Sequence, residues 1–198
     1  MIKRFGQSIL ILLFLFAGQP FIFAQSHAQT QQLITLAENA SGDQFSFQTR
    51  TRSGAKVYAV IKPSVKLLQA IDQGLTDLFA IARKNKYTKR LNYADYTIFI
   101  ARPDRAKDAR GVYSPDVAVG AAQYAGTVYD KGGYIYAAGM VIAMNPSAFV
   151  IAEHDKQFER VSDVVRYEGE HIVLYHNDRQ RFNETRDHSK GGGHPILN

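Results

Sequence analysis

Two runs rich in β-branched and aromatic residues, Lys56-Val57-Tyr58-Ala59-Val60-Ile61 and Asp95-Tyr96-Thr97-Ile98-Phe99-Ile100-Ala101, flank a segment of helical periodicity. Pro63 and Ser64 open that segment, with Ser64 suited to an N-cap. Val65, Leu68, Ile71, Leu75, Leu78 and Ala82 then recur at spacings of three and four, which builds one apolar stripe. A strand of this composition must bury itself against another layer, and the stripe supplies it. Strand, helix, strand therefore restricts the chain to a layered α/β or α+β architecture. Further elements follow the same logic. Residues 31–39 suit a short helix and 45–49 a strand. Asp130-Lys131-Gly132-Gly133 joins 123–129 to 134–138 as a β-hairpin. The short apolar runs 141–144 and 148–152 add strands, and a long helix runs from about Asp155 to about His176. The expectation is a single α/β (or α+β) domain, a mixed β-sheet with a hairpin packed against two main helices. The polar tail, 177–198, is expected to fold back on the last helix.

The first 28 residues have a different character. Lys3 and Arg4 precede the apolar run 9–17, and small-residue exits follow at Ala24 and at Ser26-His27-Ala28. A charged start, an apolar centre and a small-x-small end describe a secretory signal peptide. A spanning helix needs about 20 apolar residues, and Gly18, Gln19 and Pro20 interrupt this run. The reading is export to a secreted or periplasmic location, cleavage near Ala24 or Ala28, a mature domain 29–198 and no stable membrane anchor afterwards. The 198 residues include no Cys, which excludes disulfides, Cys-ligated zinc or iron–sulfur centres and a thiol nucleophile. An exported domain without disulfides must rest on its core alone. At about 170 residues it can, since a chain of that size buries roughly 70% of its surface on folding.

Lys and Arg number 24 against 18 Asp and Glu, a formal charge of +6. Without Lys3 and Arg4 the balance is 22 against 18, or +4. Lys84, Lys86, Lys89 and Arg90 form one basic group that suits a polyanion or the negative end of a helix. Export makes nucleic acid an unexpected partner.

The last helix carries an anomaly. At about 100° per residue, Val161, Val164, Val165, Ile172 and Tyr175 share one face. Glu168 lies about 20° from Val161, inside that apolar stripe, with His171 beside it. Glu170 points to the opposite side and is expected to be solvated. A carboxylate buried without a partner costs several kcal/mol or loses its charge, so Glu168 requires a partner, a metal or a raised pKa.

Tyr167-Glu168-Gly169-Glu170-His171 places a glutamate and a histidine at the second and last positions of H-E-x-x-H, where two histidines on one helix face bind zinc and the glutamate activates a metal-bound water. The chain resembles a zincin-type metallopeptidase with a degenerate motif, Tyr167 standing at the first histidine position. The resemblance implies that His171 is a zinc ligand, that Glu168 is the general base of a metal-dependent peptidase, and that the substrate is a peptide or protein. It also implies a third ligand, which the helix does not contain: position 177 is Asn.

His188 and His194, separated by Gly191-Gly192-Gly193, are the candidates in the tail. The expected metal set is His171, His188 and His194, with Glu168 as catalytic base or fourth ligand. The same residues also fit a non-catalytic secreted binding or structural protein with a buried Glu168/His171 network, or a catalytically inactive descendant of a peptidase. A third reading, a metal-dependent nuclease, rests on His176-Asn177-Asp178 with His188 and His194. No G-x-S-x-G elbow and no P-loop is present. Tyr113, Tyr124, Tyr129, Tyr134 and Tyr136 fit ordinary strand packing or a binding platform, and Asn183-Glu184-Thr185 matches a glycosylation acceptor.

Overall fold

The computed structural model describes residues 19–41, 43–103, 141–153, 158–186 and 192–197. The apolar run 9–17, the hairpin expected around 130–133, its tyrosines and His188 lie outside the described residues. Two compact units divide the chain, one through Gln32 and one from Leu33 onward. Among the described residues no helix is long and apolar enough to cross a membrane.

The elements are α1 (Gln19–Ser41), β1 (Phe47–Arg50), β2 (Lys56–Ala59), α2 (Val65–Lys84), a 3-10 turn (Tyr93–Asp95), β3 (Tyr96–Pro103), β4 (Val141–Met144), β5 (Ser147–Glu153), α3 (Phe158–Asn177) and α4 (Arg179–Thr185). They build an α/β fold on a five-stranded mixed sheet of order β1-β2-β3-β5-β4. β2, β3 and β5 run parallel, and antiparallel β1 and β4 close the two edges. The parallel β2–β3 pair is joined through α2, the crossover that parallel neighbours require. Ser64 caps α2 as its position predicts, accepting a hydrogen bond from Leu67 N at 3.1 Å.

Pleating sorts the strand residues between two faces. Register sets Val57 beside Ile98, and Ile98 beside Phe149. Tyr58, Phe99 and Val150 line the other face, where Tyr58 stacks on Phe99 at 5.3 Å and Phe45 meets Phe99 edge-on at 5.1 Å. Both sets are buried, so the central strands are apolar on both sides, as parallel strands tend to be.

α2 and α3 cross closely, and small residues permit it. A Cβ on Gly74 would lie 2.4 Å from the Ser162 carbonyl oxygen and 2.9 Å from Val165 Cβ. Ser162 Oγ also donates to the Ala70 carbonyl across the same contact, at 2.9 Å. On the facing helix, a Cβ on Gly169 would meet Leu78 Cδ2 at 2.4 Å. The obstacle at Gly74 is backbone, which cannot move without shifting a helix; the obstacle at Gly169 is a side-chain tip. Gly74→Ala is therefore expected to cost about 1–3 kcal/mol, and Gly169→Ala less. Denaturant melts of the two variants check that ranking.

Several elements differ from the sequence expectation. The helix expected over 31–39 belongs to the longer α1, and the last helix is described from Phe158 rather than Asp155. α4 occupies part of the segment expected to be tail. It forms because Asp178 caps it, accepting from Arg181 N at 3.0 Å, and because Phe182 is buried. One apolar residue in seven leaves almost no periodic signal to read.

Candidate functional site

Every position of α3 from Glu168 to Leu174 is buried. Seven consecutive positions span almost two turns, so α3 is enclosed on all sides there rather than along one stripe. Glu168 shares the face of Val161, Val165 and Ile172 and is 1% exposed. Its Oε2 finds no hydrogen-bond partner among the described residues. Burial pushes its carboxyl well above the ordinary carboxylate range. The raised pKa is thus one of the three outcomes that its place in the apolar stripe required.

Glu170 corrects the sequence expectation. It is fully buried, not solvated, because the C-terminal residues cover the side of α3 that a one-sided helix would leave to water. Ile196 donates its backbone N–H to Glu170 Oε1 at 2.7 Å. The His194 ring donates Nδ1–H to Glu170 Oε2 at 2.8 Å. A single carboxylate therefore binds two groups of segment 192–197, as its four acceptor sites allow. Gly193 N adds a bond to the Thr185 carbonyl at 3.1 Å, and Leu197 N closes a turn onto the His194 carbonyl at 3.2 Å. Ile196 is buried behind them.

Two of the four expected site residues, His171 and His194, lie together. The His194 ring centroid lies 4.8 Å from that of His171 and 4.6 Å from that of Tyr167. Tyr167, which stands at the degenerate motif position, contributes a ring face to His194. His171 is 2% exposed. His188 lies outside the described residues. As to zinc, no group of three or more His, Asp or Glu among the described residues is placed to hold an ion together. The described donors therefore do not make up the three-ligand set that the resemblance implies.

His176-Asn177-Asp178 is occupied elsewhere, at the C-terminal end of α3. His176 Nε2 lies 2.7 Å from the Met144 carbonyl and 3.2 Å from Arg90 Nε. Asn177 accepts from Thr88 N and Lys89 N and donates to the Lys89 carbonyl. Asp178 caps α4 and accepts from Tyr87 Oη at 3.1 Å. These three side chains bind the 85–92 connection and the β4–β5 turn to the end of α3.

The residue that sequence reasoning missed is Glu170. A signal for it existed in the tail, where a glycine run and His194-Pro195 lead into Ile196-Leu197. Two apolar residues at the end of a polar segment need somewhere to bury, and whatever receives them must also satisfy their backbone. No protein-family model matches the chain, and neither a curated protein nor a solved structure matches it.

Proposed function

We propose that this chain is an exported, non-catalytic α/β protein whose polar α3 cluster locks the C-terminal segment onto the fold. The observation that carries the proposal is Glu170, fully buried with both oxygens engaged by His194 and Ile196. Accessibility supports it as well. A general base must reach water and substrate, whereas Glu168 and His171 are 1% and 2% exposed. Export rests on the N-terminal sequence pattern alone.

Metal-dependent peptide hydrolysis, from the likeness to the zincins, is the second reading. Glu168 favours it, as a buried carboxylate with an unpartnered Oε2 among the described residues, three positions from an imidazole. Metal content separates the two readings. Protein purified without chelators is expected to hold less than about 0.1 equivalent of zinc, with no rise when zinc is added. Retention of close to one equivalent, lost on substituting His171 or His194, overturns the structural reading.

A further inference from the structure

The C-terminal end of α2 is closed by a Schellman motif: Lys86 N donates to the Arg83 carbonyl at 2.9 Å and Tyr87 N to the Ala82 carbonyl at 3.0 Å. That motif places the residue after the cap in the left-handed region, and Lys86 sits there at φ 64°. Glycine is the residue that the geometry favours, because a Cβ at this φ is strained. Arg90, also left-handed at φ 60°, offsets its strain with a side-chain bond to Asn145 Oδ1 at 2.7 Å and an ion pair with Asp95 at 3.8 Å. Lys86 has no such compensation. It is exposed, and its ammonium makes no hydrogen bond or ion pair among the described residues. Nor does the helix end depend on it, since Arg83 and Lys84 already occupy the last turn. Strain kept without structural return points to use.

Lys86 has basic company from a distant part of the chain. The Asn177 and Asp178 contacts pin the 85–92 connection to the α3–α4 junction. Exposed Lys86 and Lys89, with Arg83 and Lys84 in the preceding turn of α2, therefore lie in the connection held at the start of α4, where Arg179 is exposed, as is Arg186 just past the end of that helix. Against these six exposed basic residues the region sets two carboxylates, Asp178, which caps α4, and Glu184, which accepts from Gln180 at 2.9 Å, so its balance is positive. From this we infer that the face formed by the end of α2 and by α4 docks on an anionic phospholipid surface. A single-stranded nucleic acid fits it less well, because strand binding needs open aromatic faces on which bases stack. Here the Arg179 guanidinium lies 3.3 Å over the Tyr175 ring centroid and the Tyr87 hydroxyl is held by Asp178. Scattered lysines and arginines on two elements match an array of headgroup phosphates, each charge adding a similar increment.

The test pairs stability with binding in the full chain. Lys86→Gly is expected to raise the melting temperature by roughly 2–4 °C, through relief of the left-handed strain. Co-sedimentation is measured with phosphatidylcholine vesicles that contain phosphatidylglycerol, and binding to phosphatidylcholine alone is subtracted to remove any contribution of the apolar N-terminal run. Lys86→Gly lowers this anionic increment about five-fold, and Lys86→Gly with Lys89→Ser about 25-fold, at roughly 1 kcal/mol per basic residue. About 1 M salt, where the screening length falls to about 3 Å, abolishes it. The proposal is overturned if Lys86→Gly leaves the increment unchanged or fails to stabilise the fold. It is equally overturned if the variants weaken binding to an oligonucleotide while vesicle binding stays as it was.

Discussion

Glu170→Ala is expected to destabilise the protein by about 3–5 kcal/mol, the cost of removing a buried side chain that accepts two hydrogen bonds and of the cavity it leaves. Three terms contribute. The His194 ring loses the acceptor 2.8 Å from Nδ1, the Ile196 N–H loses the acceptor at 2.7 Å, and a cavity opens beside α3. Water is excluded from this position, so nothing replaces the lost bonds. For a domain of this size the melting temperature falls on the order of 10 °C. Hydrogen exchange gives the sharper check, because the Ile196 amide owes its protection to Glu170 Oε1. In Glu170→Ala that amide exchanges much faster, while β3 amides slow to exchange in the parent remain the slower set. His194→Ala is expected to cost less, since Glu170 keeps its bond to Ile196. If Glu170→Ala leaves both stability and Ile196 exchange unchanged, the tail is not held as described.

The second large effect concerns Glu168 and depends on pH. Burial raises its folded-state pKa well above the ordinary value of 4.5. Above 4.5 the unfolded chain releases this proton while the folded chain keeps it, so the folded state binds more protons. Stability from this group is then greatest below about pH 4.5 and declines as pH rises toward the folded pKa. Glu168→Gln removes the titration while preserving shape. It is expected to be more stable than the parent at pH 8 by on the order of 1–3 kcal/mol, with the gap closing toward pH 4.5. Urea melts of both proteins across that range measure it. A gap that widens at low pH has the wrong sign and refutes the burial argument. The experiment also bears on chemistry, because a general base replaced by an amide loses activity, whereas a merely buried carboxyl loses only its penalty.

The contrast between these two glutamates shows what local pattern can reveal. Glu168 was visible from the sequence because it interrupts an apolar stripe, and a helical wheel places it correctly whatever surrounds the helix. Glu170 was invisible because the same wheel assumes one wet side. Only segment 192–197, more than twenty residues further on, converts that side into interior. His194 was a candidate for its residue type and the glycines before it, and only the structure shows its Nδ1 2.8 Å from the Glu170 carboxylate. Gly74 and Gly169 carry no local mark either, since a glycine that admits another helix looks like any other helical glycine until the crossing is seen.

By itself, then, the sequence determined the strands 56–59 and 96–103, the helix between them with its Ser64 cap, and the helical face on which Glu168 lies. These follow from side-chain period and backbone preference, which act over a few residues. The tertiary structure decided the order of strands, the close α2–α3 crossing, the burial of Glu170 and the pinning of the 85–92 connection to the α3–α4 junction. Each of those depends on groups far apart in the chain meeting in space, and no local period encodes such a meeting.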